Sequence, residues 1–553
     1  DRQVIHHQDI EARYIRTVQR VNNENALQDI GKIELIFHPD YEQMIVNSLA
    51  IYRNGQVINV LDNQSFEILR QEKELENQIY LGTKTALLVI QDLRVGDYLD
   101  LQFTRYGANP IFDGHLFEQF QMNWSMPIKY LNLSIKTAKD KLIKIKTSDQ
   151  NLKYKKSTEK NTSRYHWYLE DIAAVDIQGQ TPYWFMPYQM VEVSDFADWS
   201  AVVAWAQSVF TVEKSTTKEL DQLVEAWSKL PTQTEQVSAA LDFVQNQIRY
   251  FGIEIGVNSH KPRLVKDTFS TKFGDCKDKT ILLQTILQRL NIPSTPALVS
   301  TSYHEGINNM LPSPGVFDHV ILKVPLNNKN YWLDSTISNQ GGDINTIGEV
   351  PYGAALPIEH TVSALEPIKF NHPHIEKKHV IEQFDFSDNN QTKLSTQTTY
   401  YGFEATRIRH RLINQTHNDL QKQFESYVNK LYGRAELSQD VTFKDNLDSN
   451  LFSHHELYNI SNMWEQKGQY IYSDIIIWGL LNYLDIPSRV IRNTPLALPY
   501  PLNLNHEVKL IGTGPDFQTD EKDLIINSDY LNFERKVIKT QGDLQISFQL
   551  ATR

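Results

Sequence analysis

Between residues 30 and 200, apolar side chains tend to recur at every second position, the period of a half-buried strand. Ile33, Leu35 and Phe37 follow it, although Ile36 interrupts strict alternation. Asn54-Gly55 stands between Leu49-Ala50-Ile51-Tyr52 and Val57-Ile58-Asn59-Val60. That pair predicts a two-residue hairpin, because Asn and Gly tolerate the positive φ angles such a turn requires. The stretches 85–90, 98–103, 131–136, 142–146 and 164–169 read as further strands, with Gly96-Asp97 as a turn. Their natural packing is an antiparallel β-sandwich over residues 1–199.

Near residue 195 the period changes. Leu220, Leu223, Val224 and Trp227 fall at helical spacing, and so do Val237, Ala240, Leu241, Val244 and Ile248. Pro231 separates the two helices. The segment 249–272 has little period and reads as loop and short strand, followed by a helix over 276–290 and strands at 296–300, 318–324 and 330–335. Residues 200–365 thus form an α+β core. Pro367 and Pro373 sit in a polar connector, and 366–553 is a β-rich C-terminal domain with helices at 416–431 and around 474–484. The fold class is α+β multidomain, which suits 553 residues at roughly 100–200 per domain.

Charge narrows the partners. A net charge of −12 argues against nucleic acid, because phosphate binding needs a basic surface. The basic stretch 139–156 reads as the solvated face of strands. No apolar run approaches the roughly 18 residues of a membrane span. The longest, 475–481, has seven residues and reads as a buried core segment. The chain begins at Asp1 without Met, which leads us to expect a removed leader and a periplasmic or secreted location. His6-His7 and His454-His455 read as surface residues. With one Cys and no HExxH spacing, neither a metal nor a cofactor is expected.

That single cysteine, Cys276, excludes an intramolecular disulfide. It lies in Gly274-Asp275-Cys276-Lys277-Asp278-Lys279-Thr280, followed by Ile281, Leu282, Leu283, Ile286, Leu287 and Leu290 at three- and four-residue spacing. Cys276 therefore opens an amphipathic helix that Pro293 terminates, with Asp275 as its N-cap. A helix N-terminus carries partial positive charge and free N–H donors, which favour a thiolate and can hold an oxyanion. Lys277 and Lys279 are expected to add positive charge, and Gly274 to let the chain turn and a substrate approach.

A nucleophilic thiol needs a base. His319 opens the strand His319-Val320-Ile321-Leu322-Lys323-Val324, and Tyr331-Trp332-Leu333-Asp334 follows after the turn-rich 325–330. If Asn327-Asn328 is the turn, Asp334 is the diagonal neighbour of His319; if Leu326-Asn327 is the turn, the two face each other directly. In both registers they share one sheet face, about 4.5–8 Å apart, where a carboxylate would orient the imidazole.

These residues resemble the transglutaminase-like superfamily, whose papain-like core carries a Cys at a helix start and His and Asp on following strands. Tyr250-Phe251-Gly252-Ile253-Glu254, Pro262, Phe273 to Lys279, Phe317-Asp318-His319-Val320 and Tyr331-Trp332-Leu333-Asp334 are similar to its bacterial branch. Leu93 to Tyr98 and Pro495 to Pro501 are similar to that branch's N-terminal β domain of unknown function and β-rich C-terminal domain. The resemblance implies a Cys276–His319–Asp334 triad, cysteine-dependent acyl transfer on a protein or peptide substrate, and export. It also makes Tyr250 a candidate oxyanion donor, since no Trp stands between Trp227 and Cys276. Hydrolysis, transfer to an amine, removal of N-glycans and a non-catalytic binding module all remain open at this point.

Overall fold

The computed structural model describes the chain except residues 8, 9, 73, 349, 350, 372–376, 389, 390, 414, 462, 485, 486, 488, 490, 515, 516, 541 and 553, and except the side chains of residues 7, 10 and 77. Pro373 and the His7 side chain lie outside the described residues. The structure is a mixture of helices and several sheets.

The N-terminal part is built on one eight-stranded sheet, in the order Lys155–Glu159, Thr162–Ile172, Ile128–Ala138, Arg2–His7, Ile10–Arg20, Tyr98–Tyr106, Gln43–Arg53 and Gln56–Asn59. Its pairings are antiparallel except one: Arg2–His7 runs parallel to Ile128–Ala138. That pair joins segments more than a hundred residues apart, which an all-antiparallel expectation built on local turns cannot contain. Two smaller sheets cover it. Lys32–Phe37, Lys84–Val89 and Glu67–Leu69 enclose a core with Leu49, Leu99 and Phe103. Phe117–Gln121, Met190–Ser194 and Lys144–Thr147 enclose another with Leu133, Ile135 and Trp167. The Asn54-Gly55 turn has φ of 49° and 80° and pairs Arg53 with Gln56.

In the middle region, helices Trp199–Phe210, Lys218–Trp227, Gln233–Gln247, Val265–Thr271 and Cys276–Arg289 pack with a five-stranded antiparallel sheet. The sheet order is Lys329–Leu333, His319–Leu326, Thr295–Val299, Ala354–Pro357 and Glu366–Pro367. Two helices escape the sequence period. Trp199–Phe210 is apolar on most of its faces, so it shows no stripe, although Asp198 caps it through Ala201 N. Val265–Thr271 is too short at seven residues to display one.

Helix Cys276–Arg289 is more enclosed than an amphipathic reading implies: every residue from Lys277 to Leu287 is buried. Ile281, Leu282, Leu283, Ile286 and Leu287 are at most 2% exposed, each worth about 1.5–3 kcal/mol of burial. Its polar residues are satisfied internally, as where Thr280 Oγ1 donates to Val320 O at 3.2 Å. The first turn of the helix is therefore held by a rigid core.

The C-terminal part is a nine-stranded sheet in which Lys378–Asp385 runs parallel to Asn503–Ile511. Helices Phe403–Leu412 and His417–Tyr432 accompany it. The segment 475–481 is not a core helix: only the turn Trp478–Leu481 is helical, and Leu481 is 47% exposed. The surface reading of the histidine pair also needs correction. His454 is 4% exposed and pairs with Glu456 Oε1 at 3.0 Å, while His455 bonds Ser395 Oγ. Neighbours on a strand point to opposite faces, and the inward one is covered. His6 is partly buried against Glu11 and Lys141. Among the described residues, no helix is long and apolar enough to cross a membrane.

Candidate active site

Cys276 is the first residue of its helix and is partly buried. The Asp275 side chain accepts from Lys277 N at 3.1 Å and Asp278 N at 3.2 Å, and Asp278 reaches back to Asp275 N at 3.4 Å. This capping box uses the second and third amides of the helix, not that of Cys276.

Gly274 serves a different purpose from the one expected. Its φ is not positive; instead, a Cβ there would lie 2.6 Å from Asp278 Cβ. The absent side chain lets the incoming strand close onto the cap.

The two lysines differ: Lys277 stays within electrostatic reach of Cys276, as expected, whereas Lys279 turns to backbone carbonyls of the interior. Lys277 is buried and bonds Asp275 Oδ2, with Glu254 Oε1 at 3.9 Å. Lys279 donates to Ile248 O at 2.6 Å and Gln245 O at 3.3 Å, at the C-terminal end of helix Gln233–Gln247, and burial lowers its pKa to about 8. Both ammonium groups are engaged within the fold, because a buried cation must find an acceptor.

His319 reaches the site from the hairpin. Leu326 pairs with Lys329 and Leu322 with Leu333, so Asn327-Asn328 is the turn, with φ of 52° and 60°. Of the two registers left open by the sequence, this is the one that makes Asp334 the diagonal neighbour. His319 Nε2 lies 2.8 Å from Asp334 Oδ2, and the Cys276 side chain is near enough to act on the ring's charge. Burial opposes a charge on His319. The field of Asp334, its hydrogen bond and Cys276 outweigh that, and the imidazole pKa stands well above its ordinary value.

Asp334 is 4% exposed yet held as a carboxylate. Burial alone would raise its pKa; the charge and bond of His319, then Thr336 and Tyr352, hold it well below the usual range. It receives Tyr352 OH at 2.7 Å on Oδ2, and Thr336 N at 2.8 Å and Thr336 Oγ1 at 2.6 Å on Oδ1. Gln245 Nε2 fixes the Asp334 carbonyl at 2.8 Å.

The sequence reading missed Tyr352, Thr336 and Gln245. Thr336 follows Asp334 by two residues, the spacing of an Asx turn, and could have been found. Tyr352 and Gln245 carry no local signal, since their partner lies on another element.

Tyr250 lies beside this group. Arg249–Tyr250 runs parallel to Phe273–Gly274, pairing Tyr250 with Gly274, and Phe251 N donates to Gly274 O at 3.1 Å. Burial, and then the field of Cys276, push the phenol pKa upward, so the hydroxyl keeps its proton and can donate. The structure therefore brings all four sequence-selected residues together at the helix start.

A family model described as “Domain of Unknown Function with solved-structure structure (DUF3857)” matches residues 11–176. No curated protein matches the chain. Among solved structures, the chain is similar to a “putative protease” from Parabacteroides distasonis ATCC 8503, with a TM-score of 0.67, 13% identity, and coverage of 100% of this chain and 92% of that one. A “putative cysteine protease” from Cytophaga hutchinsonii matches at 11% identity over 65% of this chain and 85% of its own, with a TM-score of 0.18. The periplasmic domain of TgpA from Pseudomonas aeruginosa, bound to ethylmercury, matches at 10% identity over 57% and 94%, also with a TM-score of 0.18. The chain thus shares, along its whole length, the fold of the Parabacteroides distasonis protein.

Proposed function

We propose that this protein is a cysteine-dependent acyl-transfer enzyme acting on amide bonds of a protein or peptide, with hydrolysis as the favoured outcome. The observation that carries the reading is the position of His319, bonded to Asp334 and close enough to Cys276 for the cysteine side chain to raise the imidazole pKa. This is the arrangement a thiol nucleophile requires.

Cys276, its proton held by His319, attacks the amide carbonyl carbon as the thiolate, forming a C–S bond and a tetrahedral oxyanion. The Cys276 N–H, which the cap does not use, and the Tyr250 hydroxyl are the donors for that oxygen. His319 gives its proton to the leaving amine as the C–N bond breaks. Water then attacks the thioester, His319 takes its proton, and the C–S bond breaks to release the acid and the Cys276 thiolate beside the imidazolium. Asp334 keeps the ring oriented and its charged form stable throughout.

The Parabacteroides distasonis protein of the same fold is named for proteolysis, which agrees with water as the acceptor. The DUF3857 match on residues 11–176 and the central site together favour a transglutaminase-like assignment. A peptide library incubated with wild type and with Cys276→Ala tests the reading. Bonds cleaved by wild type alone support it. Equal products from both proteins, or none from either while a ligand is retained, would sink it in favour of a binding module.

A further inference from the structure

We propose that the C-terminal part holds a binding site for a carboxylate with an aromatic or aliphatic body, separate from Cys276. A cavity of about 2260 Å³ runs from there along the segments around Tyr183, His304 and Gly353, and neither Cys276, His319 nor Asp334 lines it. On its wall is Lys378, the first residue of its strand and 4% exposed. The Lys378 ammonium sits over the rings of Trp478 at 4.4 Å, Tyr400 at 5.5 Å and Tyr483 at 5.7 Å. Among the described residues, no carboxylate lies within ion-pair distance of it.

Buried cations are normally paired, because an isolated charge is costly in a low dielectric. Here the nearby acids are already committed. Glu404 pairs with Arg407 at 2.7 Å and accepts from Tyr483 OH at 3.1 Å. Glu382 takes His506 at 2.8 Å and Trp478 Nε1 at 2.9 Å, and Glu456 takes His454 and Tyr458. Arg411, one turn beyond Arg407 on the same helix, also lines the cavity and adds positive charge near Lys378, while Glu305 lines the cavity without acting on Lys378.

A second polar group is unsatisfied. His454 lines the same cavity, and its Nδ1 is buried without a hydrogen-bond partner among the described residues. The one buried ammonium, Lys378, is neutralised by the single negative charge of a carboxylate, and Arg411, exposed on the cavity wall, adds to the attraction. The Tyr400, Trp478 and Tyr483 rings around it offer the apolar contact for the ligand's body. The cation–ring contacts position Lys378 but do not neutralise it.

Titration calorimetry on the full chain, with 3-phenylpropionate and its neutral isostere 3-phenylpropionamide, tests the site. The carboxylate should bind saturably and at least tenfold more tightly than the amide. Lys378→Met should remove that preference, Arg411→Gln should weaken it several-fold, and Cys276→Ser should leave it intact. Should Lys378→Met fail to fold, thermal stabilisation of wild type by the acid but not the amide replaces that arm. Equal affinity for acid and amide, no binding of either, or an unchanged preference in Lys378→Met overturns the proposal. Tighter binding of 2-phenylethyl phosphate than of the carboxylate overturns its choice of anion.

Discussion

The hydroxyl of Tyr352 donates to Asp334 Oδ2 at 2.7 Å, the same oxygen that meets His319 Nε2 at 2.8 Å. One carboxylate oxygen thus serves both the imidazole and a phenol placed on a separate segment. The Tyr352 ring also lies against that of His319, with centroids 5.6 Å apart. Burial, and then the charge of Asp334, push the Tyr352 pKa upward, so it remains a donor at neutral pH.

Tyr352→Phe should keep the ring contact and remove the hydrogen bond. Losing a buried donor to a charged acceptor costs about 1–3 kcal/mol, read as a lower urea midpoint with unchanged slope. On the proposed function, kcat should fall while KM stays near wild type. A variant with wild-type kcat and stability would show that the bond is idle.

Asp334→Asn should retain the fold and lose activity by roughly 10²–10⁴-fold, because the amide can no longer stabilise the imidazolium. The pH profile gives a sharper readout. His319 has its pKa raised by Asp334 and Cys276 against burial. As the acid that protonates the leaving amine, it should keep kcat/KM high until pH passes that raised value, above the ordinary histidine value of about 6.5. The alkaline limb should move downward in the variant; a limb that does not move would remove Asp334 from this role.

Stability should follow pH with two opposite signs. The His319 contribution is complete below the ordinary histidine pKa and is lost as pH rises through the raised folded value. The Asp334 contribution is present above the ordinary carboxylate pKa and is lost as pH falls through its depressed folded value. Urea unfolding of wild type should therefore show a loss at each end of the pH range. Asp334→Asn should flatten both, and parallel curves for the two proteins would contradict the coupling.

Gly274→Ala should destabilise by about 1–3 kcal/mol through overpacking. The new methyl would fall 2.6 Å from Asp278 Cβ and 3.1 Å from Thr268 Cγ2. Asp278 belongs to a capping box at the head of a buried helix, so it has little room to yield. Thermal melting decides the point, and an unchanged midpoint would mean that the cap can shift.

Much of this site is legible in the chain because its signals are local. The Asp275 cap, the apolar spacing after Cys276 and the breaker Pro293 all report one helix within about twenty residues. Likewise, the turn-rich stretch 325–330 announces a hairpin that places His319 and Asp334 on one face in either of its two registers. Both elements rest on backbone geometry that short-range sequence dictates.

Other features depend on partners far away in sequence. Where the Lys277 and Lys279 ammonium groups settle is decided by Asp275, Glu254 and the carbonyls of Gln245 and Ile248. The parallel entry of Arg2–His7 into the sheet, the burial of His454 and the arrival of Tyr352 at Asp334 arise only when distant segments pack. The sequence by itself determined where the helix begins, that a hairpin joins His319 to Asp334 and which residues could carry the chemistry. The tertiary structure alone decided the register that joins them, the donors that keep Asp334 charged and the unpaired state of Lys378. Short-range periodicity sets an element, but the environment of a charge is set by whatever the folded chain brings against it.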